Sequence, residues 1–358
     1  MVLGKPKNRG KQTEAAGSTR RRFLRVGSVA ATAGLAGCGS VLGGSSLDTL
    51  SVAYKPIFPF LQFLVMDERE MLSEISPSVE ATNFANQGLN IVTAYSDGDV
   101  DVAFIGITPA IRMKHKGVPG KVTAANQTGG FAVLTSEEFA SLYDEHGAAA
   151  FEKFRSQHDR PFRFSTFPKG SVAYVLLRQW LDEELGVGTG NVTIENMAGL
   201  GPVRRALLSG NADGTLIMEP IPTVLEARDA PFRRITHTGE FIPDSPGGIM
   251  FMHDRVWDEN PDIARAVLRQ HRNATALIND RPAEAAKSVS GAFGDRLSRT
   301  LAQQAIRSPV SNYITDPRAI VGGTELCVER MHALGQISET VSTDDIFEPS
   351  LYRDLKTQ

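Results

Sequence analysis

Cysteine is almost missing from this chain. Cys38 and Cys327 are the only two, too few for a disulfide framework, so stability has to come from a packed core. The seven histidines, at 115, 146, 158, 237, 253, 271 and 332, are scattered, with no His-x-x-x-His and no Cys-x-x-Cys. No metal site is therefore expected. A Gly-x-x-x-x-Gly-Lys-Ser/Thr phosphate loop and a Gly-x-Ser-x-Gly nucleophile turn are also lacking. With no motif for catalysis, neither an enzyme activity nor a cofactor is expected. Excess positive charge is missing too. The chain carries −3, and from Cys38 onward −10, which argues against a nucleic-acid partner. It argues less against a small anion, because a helix terminus can locally outweigh net charge.

What is present is an internal echo. Gly98-Asp99-Val100-Asp101 leads into the apolar run Val102 to Ile107 and then Thr108-Pro109. Turn signals on both sides make the run a buried strand of a sheet covered by helices. Thr108 and Pro109 read as N-cap and first residue of a helix to Lys116. At an offset of 112 residues, Ser209-Gly210-Asn211-Ala212-Asp213 leads into Gly214 to Met218 and Glu219-Pro220. Two similar α/β lobes follow from the repeat. In open α/β sheets a ligand sits at the carboxyl ends of the strands, so Ile107 to Pro109 and Met218 to Pro220 would face one cleft.

The N-terminal segment is of another kind. Eight basic residues and one acid precede Cys38. Thr19-Arg20-Arg21-Arg22-Phe23-Leu24-Arg25 resembles a twin-arginine export signal, and Leu35-Ala36-Gly37-Cys38 resembles a lipobox. The apolar run between them, Val26 to Gly37, is too short to span a bilayer. Residues 1–37 are thus expected to be a signal peptide, with Cys38 acylated and no internal disulfide possible. The Gly- and Ser-rich residues that follow, within 38–47, are a flexible tether.

Along the remaining chain, Leu50 to Tyr54 reads as a strand ending in Tyr54-Lys55, an aromatic face and a cation suited to a ligand. Helices are expected over Leu61 to Leu72, Leu89 to Ser96 and Ser136 to Gln157, and strands over Val79 to Phe84 and Lys121 to Asn126. Asn126-Gln127 can both donate and accept at a strand end. Arg163 to Phe167 is a strand, and Pro168-Lys169-Gly170-Ser171 turns it into a helix, Val172 to Leu185, with Ser171 as N-cap. A capped helix N-terminus is a ready anion site. Val192 to Met197 is the next strand, and Gly199-Leu200 leads to a helix expected at Val203 to Ser209. Phe131 to Thr135 and Gly247 to Met252 read as crossings between lobes. The long helix from Pro261 places Ile263, Val267, His271, Ala274 and Ile278 on one face. Ile320 to Leu334 is expected to pack on the first lobe.

Taken together, these pieces resemble the solute-binding proteins of ABC importers, in the nitrate/sulfonate/taurine branch. The resemblance rests on Gly98 to Ala103, Ala125-Asn126-Gln127, Gly170-Ser171, Ser209 to Asp213 with Met218-Glu219-Pro220, Asn260-Pro261 and Asp316-Pro317-Arg318. It implies a type II periplasmic-binding-protein fold: α/β, two lobes, each a mixed sheet flanked by helices, joined by two crossing segments. The lobes would comprise 48–130 with the return 249–358, and 131–248. It implies an extracytoplasmic, lipid-anchored monomer that hands a small anionic or zwitterionic solute to a membrane permease driven by an ATPase. The implied ligand residues are Tyr54, Lys55, Phe58, Ile107, Thr108, Asn126, Gln127, Gly170, Ser171, Val172, Gly199, Leu200 and Glu219. The polar stretch Asp144 to Arg160 is longer than the family pattern. The competing reading is an enzyme or binder of the thiamine-pyrimidine-precursor type on the same fold. The lack of a histidine at any expected loop tip speaks against the enzyme.

Overall fold

The computed structural model describes residues 47–355, apart from positions 74, 76–77, 85–87 and 295–296. The readings of Arg20, Arg21 and Cys38 lie outside the described residues.

Two five-stranded sheets carry the fold. Strands β1 (Thr49–Tyr54), β2 (Ser78–Asn83), β3 (Val102–Gly106) and β4 (Lys121–Ala125) open the chain; β5 (Gln127–Gly129) and β6 (Phe131–Ser136) follow. Next come β7 (Phe162–Thr166), β8 (Val192–Asn196), β9 (Gly214–Met218), β10 (Phe232–His237), β11 (Gly248–Met252) and β12 (Ser311–Tyr313). The first sheet has the order β2-β1-β3-β11-β4 and the second β8-β7-β9-β6-β10. These are the same order with one exchange: β6 leaves the first lobe to enter the second sheet, and β11 returns. Each exchanged strand is antiparallel to both neighbours, whereas β1 with β2 and β3, and β7 with β8 and β9, are parallel. A short β5–β12 ribbon lies beside these crossings.

The 112-residue echo is a structural repeat. Adding 112 to β3 gives β9, and adding it to the helix Gly88–Ser96 gives the helix Leu200–Leu208. The repeated aspartates do equivalent work at the amino ends of these strands. Ser51 N–H donates to Asp101 Oδ2 at 2.8 Å, and Arg163 N–H to Asp213 Oδ2 at 2.9 Å. A guanidinium completes each latch. Arg255 donates to Asp101 and to the Gly98 carbonyl, and Arg163 to Asp213 and to the Gly210 carbonyl. Arg160 adds a bidentate pair on Asp213 at 2.6 and 2.9 Å.

Several element boundaries differ from expectation. The helix starting at Leu61 ends at Glu68, ahead of Glu70 in the left-handed region. The stretch from Ser136 is two helices, Glu137–His146 and Ala150–His158, parted at Gly147. Ser136 caps the first by accepting from Phe139 N–H. The long polar stretch thereby lays Phe151 and Phe154 against Phe139 and Phe162, with ring centroids 4.7 to 5.8 Å apart. That aromatic packing anchors the stretch on the second sheet. The helix Val321–Ala333 touches both lobes. It packs on the helix Ile107–His115, while Arg330 pairs with Asp182 and Glu183 of the second lobe. Among the described residues no helix is long and apolar enough to cross a membrane.

Candidate functional site

The carboxyl ends of the parallel strands from both lobes converge. In the first lobe β3 ends at Gly106, which is the N-cap of the helix Ile107–His115. Thr108 is therefore inside the first turn and is not the cap expected from sequence. Extended Gly106 lets the helix start early, and the Thr108 hydroxyl finds a partner across the seam between the lobes. It donates to the Gly170 carbonyl at 2.9 Å. One turn on, Arg112 Nη2 reaches the same carbonyl at 3.5 Å.

On the facing side Gly170 has φ +86°, a conformation open to glycine at little cost. Any side chain there would also collide with the Arg112 guanidinium. Gly106 is equally constrained: a Cβ atom would stand 2.7 Å from Val172 Cγ2. Ser171 caps the helix Val172–Gln179, accepting from Tyr174 N–H at 3.2 Å, as the sequence led one to expect. Buried side chains run without a break from Ile107 and Ile111 in the first lobe to Val172 and Leu176 in the second. The described arrangement thus has its lobes in contact.

Other expected ligand residues are placed differently. Tyr54 shares the face of Leu50 and Val52 by the two-residue period of the strand. Its ring lies 4.4 Å from Phe63 and its hydroxyl meets Asn83. Phe58 is buried against Phe293. Asn126 is wholly buried, and both ends of its amide are engaged within the first lobe. Nδ2 donates to the Pro59 carbonyl and Oδ1 meets His271 Nε2, each at 2.9 Å. His271 must donate here, which agrees with burial holding its pKa down at about 3. Gln127 is buried between Gly130 and Gly247, and its Oε1 has no hydrogen-bond partner among the described residues. Gly199 is the N-cap of the helix Leu200–Leu208, which begins three residues before the expected Val203.

Two ionisable groups at the strand ends are shifted by burial. Lys55 is partly buried and pairs with no acid among the described residues, and desolvation lowers its ammonium pKa. Glu219, at the end of β9, is fully buried. Thr223 N–H donates to its Oε2 at 3.2 Å, and Oε1 has no partner among the described residues. Burial raises its pKa, against hydrogen bonds from Ser308 and Thr223. Among the described residues no cluster of His, Cys, Asp and Glu stands ready for a metal ion.

Sequence reasoning missed Arg112. The only trace of it is the Thr108-to-Arg112 spacing, which puts both on one helix face.

The fold is that of the periplasmic-binding-protein class. A ligand-binding component of an ABC-type import system from Staphylococcus aureus, solved with zinc bound, superposes with TM-score 0.69 at 19% identity, over 86% of this chain and 99% of that one. The periplasmic aliphatic sulphonate binding protein SsuA from Escherichia coli gives 0.67 at 15%, over 85% and 93%. The periplasmic nitrate-binding protein NrtA from Synechocystis gives 0.69 at 14%, over 87% and 89%. No curated protein sequence matches the chain. The model of the NMT1-like family matches residues 43–292, and the chain belongs to that family.

Proposed function

We propose that this protein is an extracytoplasmic solute-binding protein. It captures a small anionic or zwitterionic solute between its lobes and delivers it to the permease of an ABC importer with its ATPase. The observation that carries the reading is the meeting of strand ends at Thr108 and Gly170, one from each lobe, beside the capped helix at Ser171. Free N–H groups of that first turn favour negative charge. Lys55 adds a desolvated cation that pairs with no acid among the described residues, a cost that a bound anion would offset. The fold shared with sulphonate- and nitrate-binding proteins is in keeping with this class. In this reading the chain works as a monomer and performs no catalysis. Tyr54, Phe58 and Asn126 support the site from behind, while Lys55, Ile107, Thr108, Gln127, Gly170 to Val172, Gly199, Leu200 and Glu219 surround the solute.

Export by the twin-arginine route and anchoring through acylated Cys38 belong to the same proposal, resting on Arg20, Arg21 and the Leu35 to Cys38 motif. Cell fractionation tests both. Lysine at both arginine positions should hold the precursor in the cytoplasm, and Cys38→Ala should abolish the membrane-bound acylated form. Normal acylated membrane protein from Cys38→Ala would refute the anchor. For the solute, a thermal-shift screen of sulfonates, taurine and nitrate should find a compound that raises the melting temperature, since binding to the folded state alone stabilises it.

A further inference from the structure

The sequence reading treats the anion site as a serine, a helix terminus and Lys55. The geometry adds a group on the other side of the cleft. Arg112 lies on the first-lobe helix Ile107–His115, partly buried, with its guanidinium against the Gly170 backbone of the second lobe. Among the described residues its one hydrogen bond is the 3.5 Å contact to the Gly170 carbonyl, at the limit of such a bond. That carbonyl already accepts a better bond from Thr108. Among the described residues no carboxylate pairs with Arg112, although ten other arginines have one, including Arg160, Arg163, Arg178 and Arg255. Burial without a counter-charge lowers its pKa. A planar donor fork held at the seam between the lobes, next to a capped helix terminus and with no acid paired to it among the described residues, is arranged to meet an oxyanion.

We propose that Arg112 is a solute-binding residue of this protein: it pairs with the oxyanion end of the solute from the first lobe while Ser171 and the helix start bind it from the second. This rests on the reading of the protein as an anion-binding module. It also assigns a reason for closure, because one oxyanion then joins groups from both lobes. Thr108 is the uncharged part of the same seam, and its hydroxyl holds the loop without contributing charge.

The test is isothermal titration of the full chain with ethanesulfonate, taurine and nitrate, for wild type, Arg112→Gln, Arg112→Lys and Thr108→Val. Losing a charged hydrogen-bonding partner should weaken the best of the three anions roughly 10- to 150-fold in Arg112→Gln. Arg112→Lys should fall between, because it keeps the charge and loses the fork, and Thr108→Val should weaken binding less than Arg112→Gln does. Unfolding curves run alongside show that each variant is folded, and Arg112→Lys decides the matter if the glutamine variant is not. Arg112→Gln or Arg112→Lys binding within twofold of wild type would overturn the assignment and leave the anion-binding reading standing. Failure of wild type to bind any of the three would overturn both.

Discussion

At the scale of single residues, charge is handled in opposite ways at the two ends of the strands. At the amino ends, Asp213 is held by Arg160 and Arg163. Burial alone would raise its pKa, but these hydrogen bonds outweigh it and keep the carboxyl ionised below its usual range. A depressed folded pKa gives stability that is present above the unfolded value of about 3.9 and lost as pH falls through the folded value. Asp213→Asn should therefore cost about 1–3 kcal/mol at neutral pH, and the melting-temperature gap to wild type should close as the pH falls through the depressed folded pKa. A gap that does not change with pH would mean that the charge is not what stabilises. Glu219 runs the other way. Its raised pKa means that stability is full below the unfolded value and is lost as pH rises through the folded one. Glu219→Gln should be near neutral at acid pH and increasingly stabilising toward neutral pH in thermal melts. These residues also show what sequence can reveal. The Asp101/Asp213 repeat was legible because offset and context recur together. The partners of the repeat were not. The first lobe draws Arg255 from the chain after the return crossing, whereas the second uses Arg160 and Arg163 close by. Nothing in spacing relates those arginines.

At the scale of elements, the helix Val172–Gln179 was legible from Pro-Lys-Gly-Ser followed by an apolar stretch, and its cap is where that pattern puts it. Ser171→Ala should cost about 1 kcal/mol in chemical denaturation. Ser171→Asp should keep the cap and the fold yet abolish binding of an anion, by placing like charge at the helix start. Full affinity in that variant would move the site elsewhere. The start of the Ile107 helix was misread by two residues, because the Thr-Pro cap signal is local and the hydrogen bond to Gly170 is not. The sidedness of Tyr54 was lost for a similar reason: the strand's alternation was readable, but which face meets the cleft depends on the sheet order. The helix Val321–Ala333 has a role that only the structure reveals. Arg330 meets Asp182 and Glu183 in the π-helical turn Trp180–Glu184 and also donates to the Arg178 carbonyl. This helix ties the lobes together outside the two crossing strands. Arg330→Ala should favour a more open molecule, seen as a larger radius of gyration by small-angle scattering without solute. An unchanged radius would show that the tie does not restrain opening.

At the scale of the molecule, two equivalent sheets exchange one strand each, and their strand ends meet at a seam that includes Gly106, Thr108, Gly170 and Val172. Such a molecule can move as two bodies about β6 and β11, and a solute touching both lobes would bias that motion by its differential affinity for the closed state. Family membership and the repeat explain why this architecture was readable at low identity: hydrophobic pattern and turn chemistry recur even where side chains do not. The proposal puts solute identity instead on a few groups such as Arg112 and Glu219, whose state depends on burial. The most direct test of capture between the lobes is native ion-mobility mass spectrometry of the protein titrated with ethanesulfonate, taurine and nitrate. The account requires one unaltered solute molecule per chain and a smaller collision cross-section in the complex than in the free protein. No adduct with any of the three, an adduct without compaction, or a solute recovered with changed mass would contradict it.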